Sequence, residues 1–326
     1  MRLRLLAIPA LLLVFVLVFV VAAIFCNSAQ ASLFDRFGIG PTPTLPPTPT
    51  PTPSPTPLPP TPTPTPNPDT PPDVQARAVY LSDMDSGRVL DRVNSDERLP
   101  MASTTKIMTA LVAIRQGNLD QIVTIGQDAY DRVHADGGSS AELVVGDRLT
   151  LRQLLYGMLI PSGADAAVAV ADAIAGSPAA FVARMNALAA ALHLVHTRFL
   201  TVDGLTAPGD QHYTSAADLT TLALYAMRYS LFAQVVQTQA YTIPPTMYHH
   251  GYNWQTTNTL FATYPGTLGI KTGYTDDAGW CLVFAVVQGN HRLIGTVLGS
   301  PDSGQRDQDV ITLLGWGFSF ETRHHL

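Results

Sequence analysis

The chain has 326 residues, 46% hydrophobic and 13% charged, with two cysteines, 26 prolines and a formal net charge of −6. That length allows one or two globular domains, each large enough for a real core. A net negative chain without a Lys/Arg cluster argues against nucleic-acid binding, and two cysteines cannot build a disulfide scaffold of this size.

Arg2 and Arg4 precede an uncharged apolar run from Leu5 to Phe25, and Ser28-Ala29-Gln30-Ala31 then offers a small-residue cleavage pattern. Residues 1–31 therefore read either as an export signal cleaved after Ala31 or as an uncleaved anchor with its basic end in the cytoplasm. The 21 residues of the run match a bilayer-spanning length, and a membrane anchor through residues 5–25 is the preferred reading. Cys26 follows Ala23-Ile24-Phe25, a poor lipidation site because Phe stands where a small residue is wanted.

Residues 32–73 read as a disordered linker, in which 17 prolines fall between Pro41 and Pro72. Such a Pro/Thr segment cannot bury apolar surface, and it favours extended polyproline II, hence a stiff spacer. At about 3.1 Å per residue it could reach on the order of 100 Å. Residues 74–326 have ordinary globular composition and carry the whole −6.

Within that part, Ala76 to Leu81 and Arg88 to Val93 read as a hairpin turned at Asp85-Ser86-Gly87. Ile107, Met108, Leu111, Val112 and Ile114 recur at helical spacing from Ser103 onward. Leu149 to Ile160 reads as a helix stopped by Pro161, and Asp165 to Ile174 as a buried Ala/Val-rich one. Ser177-Pro178 starts a helix to about Leu192, and Ser215-Ala216-Ala217-Asp218 starts another. Beyond Pro265, Leu268 to Gly273, Cys281 to Val287 and Leu293 to Leu298 read as strands, with Gln305 to Trp316 as a final helix. The expected fold is α+β: an antiparallel sheet of about five strands assembled from both ends of the domain, with a helical lobe inserted.

Three short motifs carry chemistry. Ser103-Thr104-Thr105-Lys106 is S-x-x-K, whose spacing puts hydroxyl and ammonium on one helix face. A partly desolvated lysine there has a lowered pKa and can take the serine proton. Ser162-Gly163-Ala164-Asp165 lies in a break between helices, where a hydroxyl can project into a cleft. Lys271-Thr272-Gly273 with Tyr274 sits on a strand, where a lysine and a hydroxyl can hold a carboxylate while glycine lets backbone approach. Each motif alone also fits ordinary capping, turn or surface chemistry.

Their order and spacing resemble the penicillin-recognising serine enzymes of the β-lactamase/transpeptidase-like fold. The second motif follows the first by 59 residues and the third follows by another 109. Ala102 to Ala110, Leu154 to Gly163 and Gly269 to Thr275 resemble the motif blocks of the serine-type D-Ala-D-Ala carboxypeptidases, the low-molecular-mass penicillin-binding proteins. Phe181 to Asn186 and Asp203-Gly204-Leu205 are further matching stretches, so the resemblance covers about residues 76–320 and makes 74–326 the catalytic domain. It implies that Ser103 is the nucleophile, Lys106 the general base, and Ser162 and Lys271 a proton relay that orients the site. Thr272, Gly273 and Arg306 would bind substrate, with the terminal carboxylate held by Thr272 and Arg306. Backbone N–H groups of Ser103 and Tyr274 would form the oxyanion hole. The implied partners are peptidoglycan stem peptides and acylating β-lactam antibiotics. No cofactor and no metal are implied.

One position departs from the family pattern: Ala164 stands where S-x-N has asparagine, which leaves a catalytically silent penicillin-binding or wall-sensing module as an alternative. A D-Ala endopeptidase acting on cross-links would use the same residues. A class A β-lactamase loses its key base, because Glu97, Glu142 and Glu321 all lie outside the stretch from Ser162 to Lys271. His193 and His196 at i, i+3 read as a helix surface and not as metal ligands. The chain stops at His324-His325-Leu326, leaving the N-terminal run as the expected tether of an extracytoplasmic domain.

Overall fold

The computed structural model describes residues 67–325 apart from Pro208 and Asp210. The expected signal or anchor at residues 5–25 and most of the Pro/Thr segment lie outside the described residues. Among those described, no single helix is long and apolar enough to cross a membrane.

The elements run β1 (Ala78–Asp83), β2 (Val89–Val93), a short 3-10 turn (Ala102–Thr105), α1 (Lys106–Gln116), β3 (Ile122–Thr124), α2 (Gln127–His134) and β4 (Arg148–Thr150). They continue with α3 (Leu151–Leu159), α4 (Ala164–Ala175), α5 (Pro178–Ala191), α6 (Ala216–Ala226), α7 (Ser230–Gln237), β5 (Ala240–Ile243) and β6 (Tyr252–Gln255). Last come α8 (Leu260–Thr263), β7 (Thr267–Thr275), β8 (Gly279–Gln288), β9 (His291–Ser300) and α9 (Ser303–His324). The main sheet has the order β2-β1-β9-β8-β7 with antiparallel pairs throughout, so the two ends of the domain meet where β1 pairs β9. The α+β fold and its five-stranded sheet are as the sequence predicts.

Alternation along the strands divides the core. Val79, Leu81, Leu282, Phe284, Val286, Leu293 and Val297 pack with Val310, Leu313, Leu314 and Phe318 of α9 on one face. Ala78, Ile270, Cys281, Val283, Ala285, Ile294 and Leu298 belong with α1, α4 and α6 to the larger core on the other. A buried hydroxyl pair, Thr220 Oγ1 donating to Thr296 Oγ1 at 2.8 Å, ties α6 to β9. Cys281 is a fully buried free thiol whose pKa burial pushes up to about 11, so it behaves as a small apolar residue in β8.

Several local signals act as expected. Ser177 caps α5 by accepting from Ala180 N–H, and Ser215 caps α6 by accepting from Asp218 N–H. Three readings need correction. The helix expected to begin at Leu149 begins at Leu151, because Thr150 and Gln153 form a full capping box after the short β4. The final helix runs eight residues past Trp316, through a buried Gly317 at which a Cβ would stand 2.8 Å from Leu293 and 3.1 Å from Leu81, so the glycine there lets the helix pack closely on the sheet. His193 and His196 lie in the turn after α5, with His193 at φ 56°, and not on a helix surface.

The last residues of the Pro/Thr segment rest on α9. Pro68 carbonyl accepts from Trp316 Nε1 at 3.2 Å and from the Arg323 guanidinium at 2.6 Å, while Asp69 pairs with Arg323 and His324.

Candidate active site

The nucleophile candidate stands in a tight turn. Ala102 has φ 46°, and the turn is braced by Thr104 Oγ1 donating to Met101 carbonyl (2.6 Å) and Thr105 Oγ1 donating to Ala102 carbonyl (2.8 Å). His212 accepts the Leu200 N–H on Nδ1, which leaves Nε2 as the donor to Thr105 Oγ1 at 2.8 Å. Ser103 is thereby held where the 3-10 turn passes into α1.

Lys106, the first residue of α1, is 1% exposed. Its Nζ lies 2.8 Å from Ser103 Oγ and 3.0 Å from the Asp203 carbonyl oxygen. Burial pushes its pKa down to about 8, Asp203 and Asp165 pull it back up, and Arg132 adds to the fall. A lysine so placed can be neutral at mildly alkaline pH and accept the serine proton.

The loop carrying Asp203 is fixed against this turn. Thr109, one turn along α1, donates to Val202 carbonyl at 2.5 Å. Gly204 has φ +90°, and a Cβ there would stand 1.8 Å from Ala102 carbonyl oxygen, so only glycine allows the approach.

Ser162, at φ 70° and 5% exposed, sits between α3 and α4. Its segment is pinned by Gly163 N–H to Gly157 carbonyl (3.0 Å) and Ala164 N–H to Ser139 carbonyl (2.7 Å). Asp165 accepts from Ala141 and Leu143 N–H and from Ser140 Oγ, and its charge reaches Lys106. Ala164 is buried, and a Cβ built on Gly138 would stand 2.8 Å from its methyl carbon.

The third motif lies on β7, an edge strand paired only with β8. A Cβ at Gly273 would meet Met101 carbonyl oxygen at 3.1 Å and the nitrogens of Ser103 and Thr104 at 3.2 Å, so the missing side chain lets the strand lie on the nucleophile turn. Lys271 is 1% exposed, and its Nζ donates to Thr272 carbonyl at 3.0 Å. Burial, then the charges of Lys106 and Arg306, hold it well below the usual lysine range. Thr272 Oγ1 is 2.6 Å from Thr257 Oγ1. Arg306, 3% exposed, donates to Thr259 Oγ1 at 3.2 Å and to Asp307, with its guanidinium over the Trp280 ring. Tyr274 turns its side chain outward, with its hydroxyl donating to Asp276 at 2.7 Å.

Ser103, Lys106, Lys271, Gly273 and Arg306 therefore come together, with Thr272 joined to them through the run from Thr257 to Thr259. Ser162 lies three residues before Asp165, whose charge reaches Lys106. No local sequence signal marks Arg132, His212, Thr257 or Thr259; Asp203 lies within the matching stretch Asp203-Gly204-Leu205, which by itself assigns it no role.

Residues 65–302 match the family described as D-alanyl-D-alanine carboxypeptidase. The chain is 40% identical over 263 residues to a D-alanyl-D-alanine carboxypeptidase of Streptomyces sp. strain K15, covering 77% of this chain and 89% of that one. It is 36% identical over 259 residues to D-alanyl-D-alanine carboxypeptidase DacF of Bacillus subtilis, covering 77% of this chain and 64% of the relative's length. The crystal structure of the Streptomyces K15 DD-transpeptidase superposes with a TM-score of 0.72 at 39% identity, covering 77% of this chain and 99% of that chain.

Proposed function

The chain belongs to the D-alanyl-D-alanine carboxypeptidase family, and on that premise we propose that it removes the terminal D-Ala from peptidoglycan stem peptides through an acyl-enzyme on Ser103. The observation that carries this reading is the 2.8 Å contact between Ser103 Oγ and the Nζ of a buried lysine. Neutral Lys106 takes the hydroxyl proton as Oγ attacks the carbonyl between the two D-Ala residues. The oxyanion is met by backbone N–H groups of Ser103 and Tyr274. The C–N bond then breaks as the proton passes to the departing D-Ala amine, with Ser162 and Lys271 relaying it. Water attacks the remaining ester, gives its proton back through Lys106, and frees Ser103.

Thr272 and Arg306 hold the terminal carboxylate, and Gly273 lets β7 lie close against the nucleophile turn, so that substrate backbone along the β7 edge is held beside Ser103. The same nucleophile opens β-lactams, which act as acylating inhibitors. Because the superposing crystal structure is named a DD-transpeptidase, an amine acceptor in place of water is a second reading; it needs no other residue in the first half-reaction. The domain works outside the cytoplasmic membrane, tethered through residues 5–25 by the Pro/Thr spacer.

The wild-type protein is expected to release D-Ala from diacyl-Lys-D-Ala-D-Ala, and Ser103→Ala to release none. Labelling by a fluorescent penicillin without any D-Ala release would instead favour a silent binding module. Release only from cross-linked dimers would favour the endopeptidase.

A further inference from the structure

Lys106 Nζ is held from two sides, and the second holder is a loop that local sequence does not explain. The Asp203 carbonyl accepts from Nζ at 3.0 Å, while the Asp203 side chain is fully buried and grips Arg132 of α2 through two bonds. Arg132 Nε donates to one carboxylate oxygen at 2.6 Å and its Nη2 to the other at 2.8 Å; the same guanidinium donates to Leu205 carbonyl at 2.6 Å. Leu205 N–H closes the loop onto Asp203 at 3.1 Å. A forked pair of this kind fixes orientation as well as distance.

We propose that the Arg132–Asp203 ion pair is a positioning device for Lys106: it clamps the loop whose carbonyl holds Nζ beside Ser103, and it sets a negative charge near the ammonium form. This rests on the reading of Lys106 as the base. The charged groups around Nζ are Asp203 on the loop, Asp165 on α4, Arg132 on α2 and Lys271 on β7. Of these, Asp203 acts most strongly on Lys106. Burial alone would raise the Asp203 carboxyl, but the Arg132 bonds and the Lys106 charge keep it below its usual value, so it is a carboxylate whenever Lys106 titrates.

Acylation needs neutral Lys106, so its rate in the wild type rises with pH through an acidic limb near pH 8. Asp203→Asn keeps the shape of the side chain and removes the charge that favours the ammonium. The limb, read from fluorescent-penicillin acylation rates on the full chain, is expected to move down by about one pH unit. If Asp203→Asn does not fold because it strands Arg132, the double variant R132Q/D203N removes both charges. Its limb also moves down, by less, since Asp203 outweighs Arg132 at Lys106. A folded variant that acylates more slowly at every pH with its limb unmoved would show a merely structural role and overturn the proposal. A Lys106→Ala protein that acylates at the wild-type rate would overturn the base assignment itself and, with it, the role of the pair.

Discussion

Lys106 and Ala164 show what one position can contribute to the site. At 1% exposure Lys106 has its neutral form favoured by burial, and the same burial leaves it dependent on a few fixed partners. Ser103 Oγ and the Asp203 carbonyl are two of them; the asparagine expected from the family pattern at position 164 would offer a third. Ala164→Asn is therefore expected to speed acylation by about fivefold, the worth of one net hydrogen bond of about 1 kcal/mol. A fall in the penicillin acylation rate would show that the pocket is packed around the methyl group next to Gly138. At this scale the three motifs were legible because their residue types and spacing are local. Arg132 was not, because its role depends on a carboxylate that the loop before α6 brings to it from far along the chain.

At the scale of elements, the site exists where the Ala102–Thr105 turn meets β7. Gly273 sets how closely they approach, since a Cβ there would meet the turn's backbone at 3.1 to 3.2 Å. Gly273→Ala should push the strand off by a few tenths of an ångström and lower the acylation rate at least about tenfold, because small misplacements in an active site are costly. Thermal unfolding should change by only a few degrees, since β7 keeps its pairing with β8. An unchanged rate would mean the strand does not set the geometry.

The strands β1, β2, β7, β8 and β9 and the helices α1, α4, α5 and α6 could be read from periodicity, turns and caps. The pairs β3–β4 and β5–β6 were not, although Tyr252 and Trp254 alternate buried with exposed Asn253 and Gln255 in β6. Three- and four-residue strands offer too few periods for the pattern to stand out. The α2 helix was missed because only Ala129 of it is buried, which leaves almost no apolar face to detect.

In the whole molecule, the nucleophile turn comes from the first part of the domain and β7 from the last. The β1–β9 pairing and the α6–β9 contact bring the two parts into one body. That is why the fold follows from seeing strands at both ends, while the meeting of Lys106, Lys271 and Arg306 required three-dimensional placement. Pro68 and Asp69 are held against α9 by Trp316, Arg323 and His324. The assembly should place its acyl group on one serine, Ser103. Mass mapping of the full chain after reaction with benzylpenicillin should find a single covalent adduct, on the peptide that contains Ser103, and none in Ser103→Ala. An adduct on any other residue, or one that persists in Ser103→Ala, would contradict it.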